Sequence, residues 1–359
     1  VKGAAPTSSR RGGGGEAGLP VLDSRRRGTK FVELPVRSIV NSPESTGMGF
    51  WSVNPYVGCE FGCTYCYARF AHRYVVERAR HAERIGAGEA SDLGNPHGLE
   101  PFEHRVFVKR RRNVLAALDR DCARIRRRTS RDGLQNVLIG TGTDPYQPAE
   151  RQYQITRAIL RRLAHERGFR LGIITKSPLV LRDLAILEEL VQRHAVSVYV
   201  SITSVDTRVI KLFEARSPMP HTRLRAVARL TAVAIRTGLI VAPILPGITD
   251  SSKQIRALMH AAKAADAAFV RPVPLRLYPD IRRRFLPIVE RHFPRLAPRY
   301  RAAYADDWNV PAAYDRAVRK RFHRIAVEYG IEDVGWESED EARAAAAPAA
   351  AAQLGLWER

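Results

Sequence analysis

A repeat in the hydrophobic pattern constrains this chain most: short apolar, β-branched runs, each followed by a longer stretch of helical periodicity. "NVLIGTGTD" (136–144) precedes a helical pattern at about 150–166, and "RLGIITKS" (170–177) precedes one at about 179–193. "VSVYVSITS" (196–204) precedes a short helix and a longer one at about 222–236. "GLIVAPILPG" (238–247) leads to a helix at about 252–265, and "AAFVRPVPL" (267–275) closes the series. Earlier, "RVFVK" (105–109) runs into a basic helix near 112–128, and a strand is expected just before Cys59. Together these make about six or seven β/α units. Near-continuous apolar strands alternating with helices imply a parallel sheet covered on both faces, or one curled into a barrel.

Polar residues gather directly after the strands: Thr141–Asp144, Thr175–Ser177, Ser201 and Thr203, and Pro246–Gly247. In β/α barrels the chemistry sits at the C-terminal ends of the strands. These residues and the segment after the first strand are therefore expected to share one rim.

That segment is "NPYVGCEFGCTYCYAR" (54–69), where Cys59, Cys63 and Cys66 are crowded together and the chain holds only one other cysteine, Cys122. Four cysteines so placed do not make a disulfide framework, and in a reducing compartment they point to metal or catalysis. A structural zinc site needs a fourth ligand, which His72 or His81 could supply, but the second Cys/His pair of zinc folds is missing. A redox pair of Cys63 and Cys66 leaves Cys59 unexplained. An iron–sulfur cluster normally takes four thiolates, so three leave one iron open to a small molecule.

The Cys-x3-Cys-x2-Cys spacing of "CEFGCTYC", with aromatic Tyr65 before the third cysteine, resembles the radical S-adenosylmethionine (SAM) superfamily. The resemblance implies a partial (β/α)6 barrel of the TIM type, a 4Fe–4S cluster held by Cys59, Cys63 and Cys66, and SAM on the open iron. It also implies reductive cleavage of SAM to a 5′-deoxyadenosyl radical, with electrons from a donor such as flavodoxin or ferredoxin. Cys122 then reads as a helix residue. Over about residues 31–330 the chain is similar to the spore photoproduct lyase-like branch, through "GTGTDPYQPAE", "ITKSPLVLRD", "VSVYVSITS" and "VAPILPGITD". By that resemblance Tyr65 offers its backbone to the adenine, and Thr143 and Asp144 sit near the methionyl group. Lys176 and Ser201 contact SAM carboxylate or ribose, Gly247 the adenosine, and Tyr67 serves a radical relay. The bland reading of Thr141–Asp144 is a strand-to-helix turn capped by Asp. Where the lyase carries a hydrogen-donating cysteine, this chain has Thr141.

The net charge of +22, from 59 Lys plus Arg against 37 Asp plus Glu, suits a polyanionic partner such as nucleic acid. Biased composition is the alternative reading. No apolar run approaches the roughly 20 residues that span a bilayer. "SSRRGG" near the start lacks the apolar stretch of a twin-arginine signal, so the expectation is a soluble, cytoplasmic protein without membrane contact. Residues 1–30 are expected to be a disordered basic arm, 31–336 the folded body, and 337–359 an acidic, then Ala-rich tail. That tail ends in "QLGLWER", where Gln353, Leu354, Leu356 and Trp357 resemble the bacterial sliding-clamp-binding peptide. Alternatively the same apolar residues fold back on the barrel. Three functions remain open: radical SAM chemistry on nucleic acid, plausibly a damaged base; radical SAM chemistry on a small metabolite or protein; and a non-catalytic zinc- or clamp-binding module.

Overall fold

The computed structural model describes residues 21–24, 28–47, 49–69, 72 and 101–335. The clamp-like peptide, His81 and most of both tails lie outside them. The N-terminal part comprises β1 (Val21–Ser24), β2 (Lys30–Leu34), β3 (Val40–Asn41), α1 (Pro43–Thr46), β4 (Trp51–Val53), β5 (Tyr56–Val57), α2 (Pro101–His104) and β6 (Arg105–Lys109). It continues through α3 (Arg111–Asp132), β7 (Gln135–Ile139), α4 (Glu150–Tyr153), α5 (Ile155–Leu163) and β8 (Phe169–Thr175). A 3-10 turn, Pro178–Asp183, leads to α6 (Leu184–Val191), β9 (Ala195–Ser201), α7 (Thr207–Phe213), α8 (Pro220–Thr231) and β10 (Thr237–Ile244). The C-terminal part holds α9 (Ser252–Ala264), β11 (Phe269–Pro274), α10 (Pro279–His292), α11 (Ala297–Ala303), α12 (Ala312–Glu328) and β12 (Glu332–Asp333).

The main sheet runs β12-β11-β10-β9-β8-β7-β4-β3. Strands β4 and β7 to β12 are parallel to their neighbours, and only β3 is antiparallel. Six parallel strands, β4 and β7 to β11, therefore form an open barrel flanked by two-residue edges, as the apolar runs imply. Pairs such as Ile139↔Ile173 and Thr175↔Val200 keep the strands in step, so their C-terminal ends share one rim. Val137, Ile173, Val198 and Val241 meet Leu160, Leu187, Leu230 and Met259 of the helices in the large core.

"RVFVK" departs from expectation. It is not a barrel strand; it forms β6 of a separate sheet, β1-β2-β6-β5, parallel to β2 and antiparallel to β5. All five residues are buried, which is why it reads like a barrel strand. Within the expected N-terminal arm, Val21–Ser24 pairs with β2, because the ladder hydrogen bonds give the Val-Leu segment a place to go. The helix expected at about 150–166 is broken at Gln154, whose φ is 51°. The buried Glu150 carboxylate explains the break: it accepts the backbone N–H of Thr156 (2.9 Å) and Arg157 (3.1 Å), capping α5 from the turn before it. It also accepts hydrogen bonds from the Tyr56 hydroxyl and Arg182.

Candidate active site at the barrel rim

The cysteine loop leaves β5 and turns sharply at two glycines. Gly58 has φ +87°, and a Cβ there would stand 2.7 Å from the Phe102 carbonyl oxygen and 2.8 Å from that of Arg105. Gly62 has φ +57°, and its Cβ would lie 2.5 Å from Glu103 Cγ. No other residue type fits either position without displacing what lies beneath. The Cys59 N–H donates to the Phe102 carbonyl (3.1 Å), and the Cys66 N–H to that of Cys63 (3.2 Å).

Two clamps hold this loop. On one side Arg69, buried, donates from Nε (3.2 Å) and a terminal nitrogen (3.1 Å) to the Cys63 carbonyl and pairs with buried Glu103 (2.7 Å). Arg284 of α10 meets the same carboxylate at 2.7 Å. On the other side the segment after β7 grips the loop: the Thr143 hydroxyl donates to the Gly58 carbonyl (2.6 Å), and Gln147 reaches the same oxygen (3.2 Å). Gln147 Oε1 accepts the Glu60 N–H (2.9 Å), and the Glu60 carboxylate accepts the Ala149 N–H (2.6 Å). Thr143 thus serves the loop itself. Asp144 ties β7 to β8, accepting from the Thr175 hydroxyl (2.7 Å), the Lys176 N–H (2.7 Å) and the Tyr146 N–H (2.9 Å). Burial raises its pKa against these donors.

Tyr65, Lys176 and Ser201 meet around a carboxylate that motif reading did not single out, Glu214. The Lys176 ammonium donates to the Ser201 hydroxyl (2.6 Å), stands 3.6 Å from Glu214 Oε1 and lies 5.7 Å from the Tyr65 ring centre. The Tyr65 hydroxyl donates to Glu214 and is 3.0 Å from that of Thr203. Fully buried Arg223 pairs with Glu214 and donates to the Ser201 carbonyl (2.8 Å). Burial works to raise the Glu214 pKa, but Lys176, Arg223 and the hydrogen bonds outweigh it and hold the group at about 2. The chain carried no signal for Glu214: it follows the mixed helix TRVIKLF, and only the tertiary structure buries it.

Tyr67 lies 48% exposed beside Cys66, with its hydroxyl on the Thr141 carbonyl. The Thr141 hydroxyl contacts those of Ser52 and the Asn54 amide (3.2 Å), and Asn54 accepts the Gly142 N–H (2.7 Å). Gly247, at φ +71°, turns the chain after β10 between Leu245 and Ile248, which belong to an apolar layer above the barrel. That layer joins Cys59, Phe61, Cys63 and Tyr65 to Phe213, Leu245, Phe285 and Tyr300, so α10 and α11 cover the cysteine loop.

The three thiols are free. Burial pushes the Cys63 thiol up to about 12, with the Glu214 charge adding to it and Lys176 opposing it. Burial likewise raises Cys59 and Cys66. Among the described residues no group of three or more His, Cys, Asp or Glu side chains is placed to hold a metal ion. Cys59 and Cys63 are buried and Cys66 is half-buried; three sulfur donors without a fourth have the chemistry an open iron–sulfur site asks for, in which a metal takes the place of the thiol protons. His72 does not complete a zinc site: its Nε2 is 3.1 Å from the Arg105 carbonyl and its ring packs against Phe102. Cys122, 0% exposed on α3, belongs to the large core.

An open six-stranded parallel barrel with a three-cysteine loop at the rim defines a class of protein. The family model described as the Radical SAM superfamily matches residues 53–259, more than half the chain, and the chain belongs to that superfamily. Its members bind a 4Fe–4S cluster and SAM. A protein of Mycobacterium tuberculosis described as uncharacterized is 33% identical over 306 residues, covering 85% of this chain and 82% of its own. One from Methanocaldococcus jannaschii is 23% identical over 221 residues, or 62% and 70% of the two chains. Among solved structures, a spore photoproduct lyase variant with bound AdoMet and dinucleoside spore photoproduct has a TM-score of 0.56 at 14% identity, covering 85% of this chain and 81% of its own. A second structure, of spore photoproduct lyase complexed with dinucleoside spore photoproduct, has a TM-score of 0.57 at 13% identity, with the same coverage. Among the described residues no helix is long and apolar enough to cross a membrane.

Proposed function

We propose that this protein reductively cleaves SAM at a 4Fe–4S cluster held by Cys59, Cys63 and Cys66, and that it directs the resulting chemistry at nucleic acid. The observation that carries the first part is the convergence of the cysteine loop with Lys176 and Ser201 at one rim. When bound, the cluster supplies one electron to the sulfonium, and SAM supplies the adenosyl group that abstracts hydrogen. Lys176 offers an ammonium for a carboxylate and Ser201 a hydroxyl, while Asp144 holds the ends of β7 and β8 in register beneath them. The apolar cover of Phe213, Phe285 and Tyr300 packs against Cys59, Cys63 and Tyr65 and shields that side of the loop.

The charge of +22 supports a nucleic-acid substrate, as does the lyase fold. The product differs from that of the lyase, because an O–H bond at Thr141 does not give up a hydrogen atom as a thiol does. Beyond the three cysteines of the loop, the described residues hold only Cys122, sealed in the core. The test is 5′-deoxyadenosine release from SAM and dithionite by anaerobically reconstituted protein, beside a Cys63→Ala variant. Product from the parent protein alone is expected, together with a DNA affinity that falls steeply with salt. A fully loaded cluster that releases no 5′-deoxyadenosine, with or without nucleic acid, overturns the reading.

A further inference from the structure

Beyond the cysteine loop the rim carries a group of aromatic and cationic side chains that the SAM chemistry does not use. The chain leaves β11 through Leu275, Arg276, Leu277 and Tyr278, and Tyr278 opens α10. Across from it, Trp308 sits in the turn between α11 and α12. The Leu277 N–H donates to the Trp308 carbonyl (2.7 Å), so the two segments are joined through backbone. The Tyr278 and Trp308 rings stack with centres 4.5 Å apart and planes within 13°. The Arg276 guanidinium lies 5.4 Å from the Trp308 ring centre. Arg276 is exposed and both rings are half-buried, so the stack stands at the surface.

We propose that Tyr278, Trp308 and Arg276 form a stacking platform that receives an unpaired base of single-stranded or locally opened nucleic acid beside the radical site. This rests on the nucleic-acid reading above and names how the strand is held. Flat aromatic faces take any base, and an adjacent guanidinium serves both base and phosphate. A base inside a duplex cannot reach a barrel-mouth site until it leaves the stack, so a platform at the rim stabilises the unstacked state. The surrounding charges fix the strand's path. Arg283 is exposed and shares Asp280 at 2.5 Å, whereas Arg284 is committed to Glu103. Asp306 and Asp307 are exposed beside Trp308, and Asp307 accepts the Asn309 N–H at 3.1 Å. Phosphates therefore pass on the Arg276 and Arg283 side, and bases face the rings.

The experiment is fluorescence anisotropy with a labelled single-stranded deoxyoligonucleotide and with its duplex, over a salt series, using the cluster-loaded, SAM-bound protein. Trp308→Ala and Tyr278→Ala are each expected to weaken single-strand binding about five- to 100-fold, with the slope of log Kd against log salt unchanged. Trp308→Phe is expected to restore most of the loss, and Arg276→Gln to lower the slope by about one. A purely structural stack predicts a lowered Tm with unchanged oligonucleotide affinity, and that result overturns the platform while leaving the nucleic-acid reading intact. A parent protein that releases 5′-deoxyadenosine but binds neither oligonucleotide at low salt overturns both.

Discussion

Replacing Glu214 by Gln keeps the shape of a side chain that is 0% exposed and removes its charge. Three consequences follow from its neighbours. Arg223, also 0% exposed, loses its counter-charge; Lys176 loses a carboxylate 3.6 Å away; and the Tyr65 and Thr203 hydroxyls compete for a weaker acceptor. Breaking a buried ion pair by removing one partner costs about 3–5 kcal/mol, because the remaining charge is left in a poor solvent. At roughly 2 °C per kcal/mol for a domain of this size, Tm falls by about 6–10 °C. The pH dependence gives a second reading. Glu214 is depressed from 4.5 to about 2, so its stabilisation is fully present above about pH 4.5 and is lost as pH falls toward 2. Urea unfolding of the parent protein and Glu214→Gln at several pH values measures both, and the difference between them should shrink below pH 4.5. A loss under about 1 kcal/mol at neutral pH, or one that does not change with pH, would refute the electrostatic account. Adding Arg223→Met should recover part of the loss only, since the Ser201 and Pro218 carbonyls then lose their donor.

Other expectations concern the loop. Cys59→Ser, Cys63→Ser and Cys66→Ser should each remove most iron and sulfide from reconstituted protein, whereas Cys122→Ala should leave the content unchanged and lower stability by about 1–2 kcal/mol. His72→Gln should also leave iron content unchanged, because the ring holds the Arg105 carbonyl and not a metal. Burial keeps His72 neutral down to about pH 4, so its contribution is present above the ordinary histidine value of 6.5 and lost as pH falls from there toward 4; imidazole NMR titration checks this directly. Gly62→Ala should force Glu103 away from Arg69, costing about 1–3 kcal/mol in thermal unfolding and broadening the electron paramagnetic resonance signal of the reduced cluster.

The parallel strands after residue 130 were legible because each carries a nearly continuous apolar run, the pattern of a strand covered on both faces. The polar residues behind them were placed at one rim by the same logic, and Lys176 and Ser201 do meet there. "RVFVK" was misplaced because five buried residues look alike in any sheet, and pairing with β2 or with β4 is a choice of partner. Glu214 and Arg223 escaped motif reading for a related reason: a buried acid and a buried base nine residues apart have no periodicity that announces them.

The sequence by itself determined the alternation of strand and helix and the crowding of three thiols after the first barrel strand, because both are local. Only the tertiary structure decided that Thr143, Gln147 and Arg69 clamp the cysteine loop, that α10 and α11 cover it, and that Tyr278 stacks on Trp308. Those contacts join residues distant in the chain, and their energies depend on distance, burial and shared charge, which no spacing along a sequence encodes.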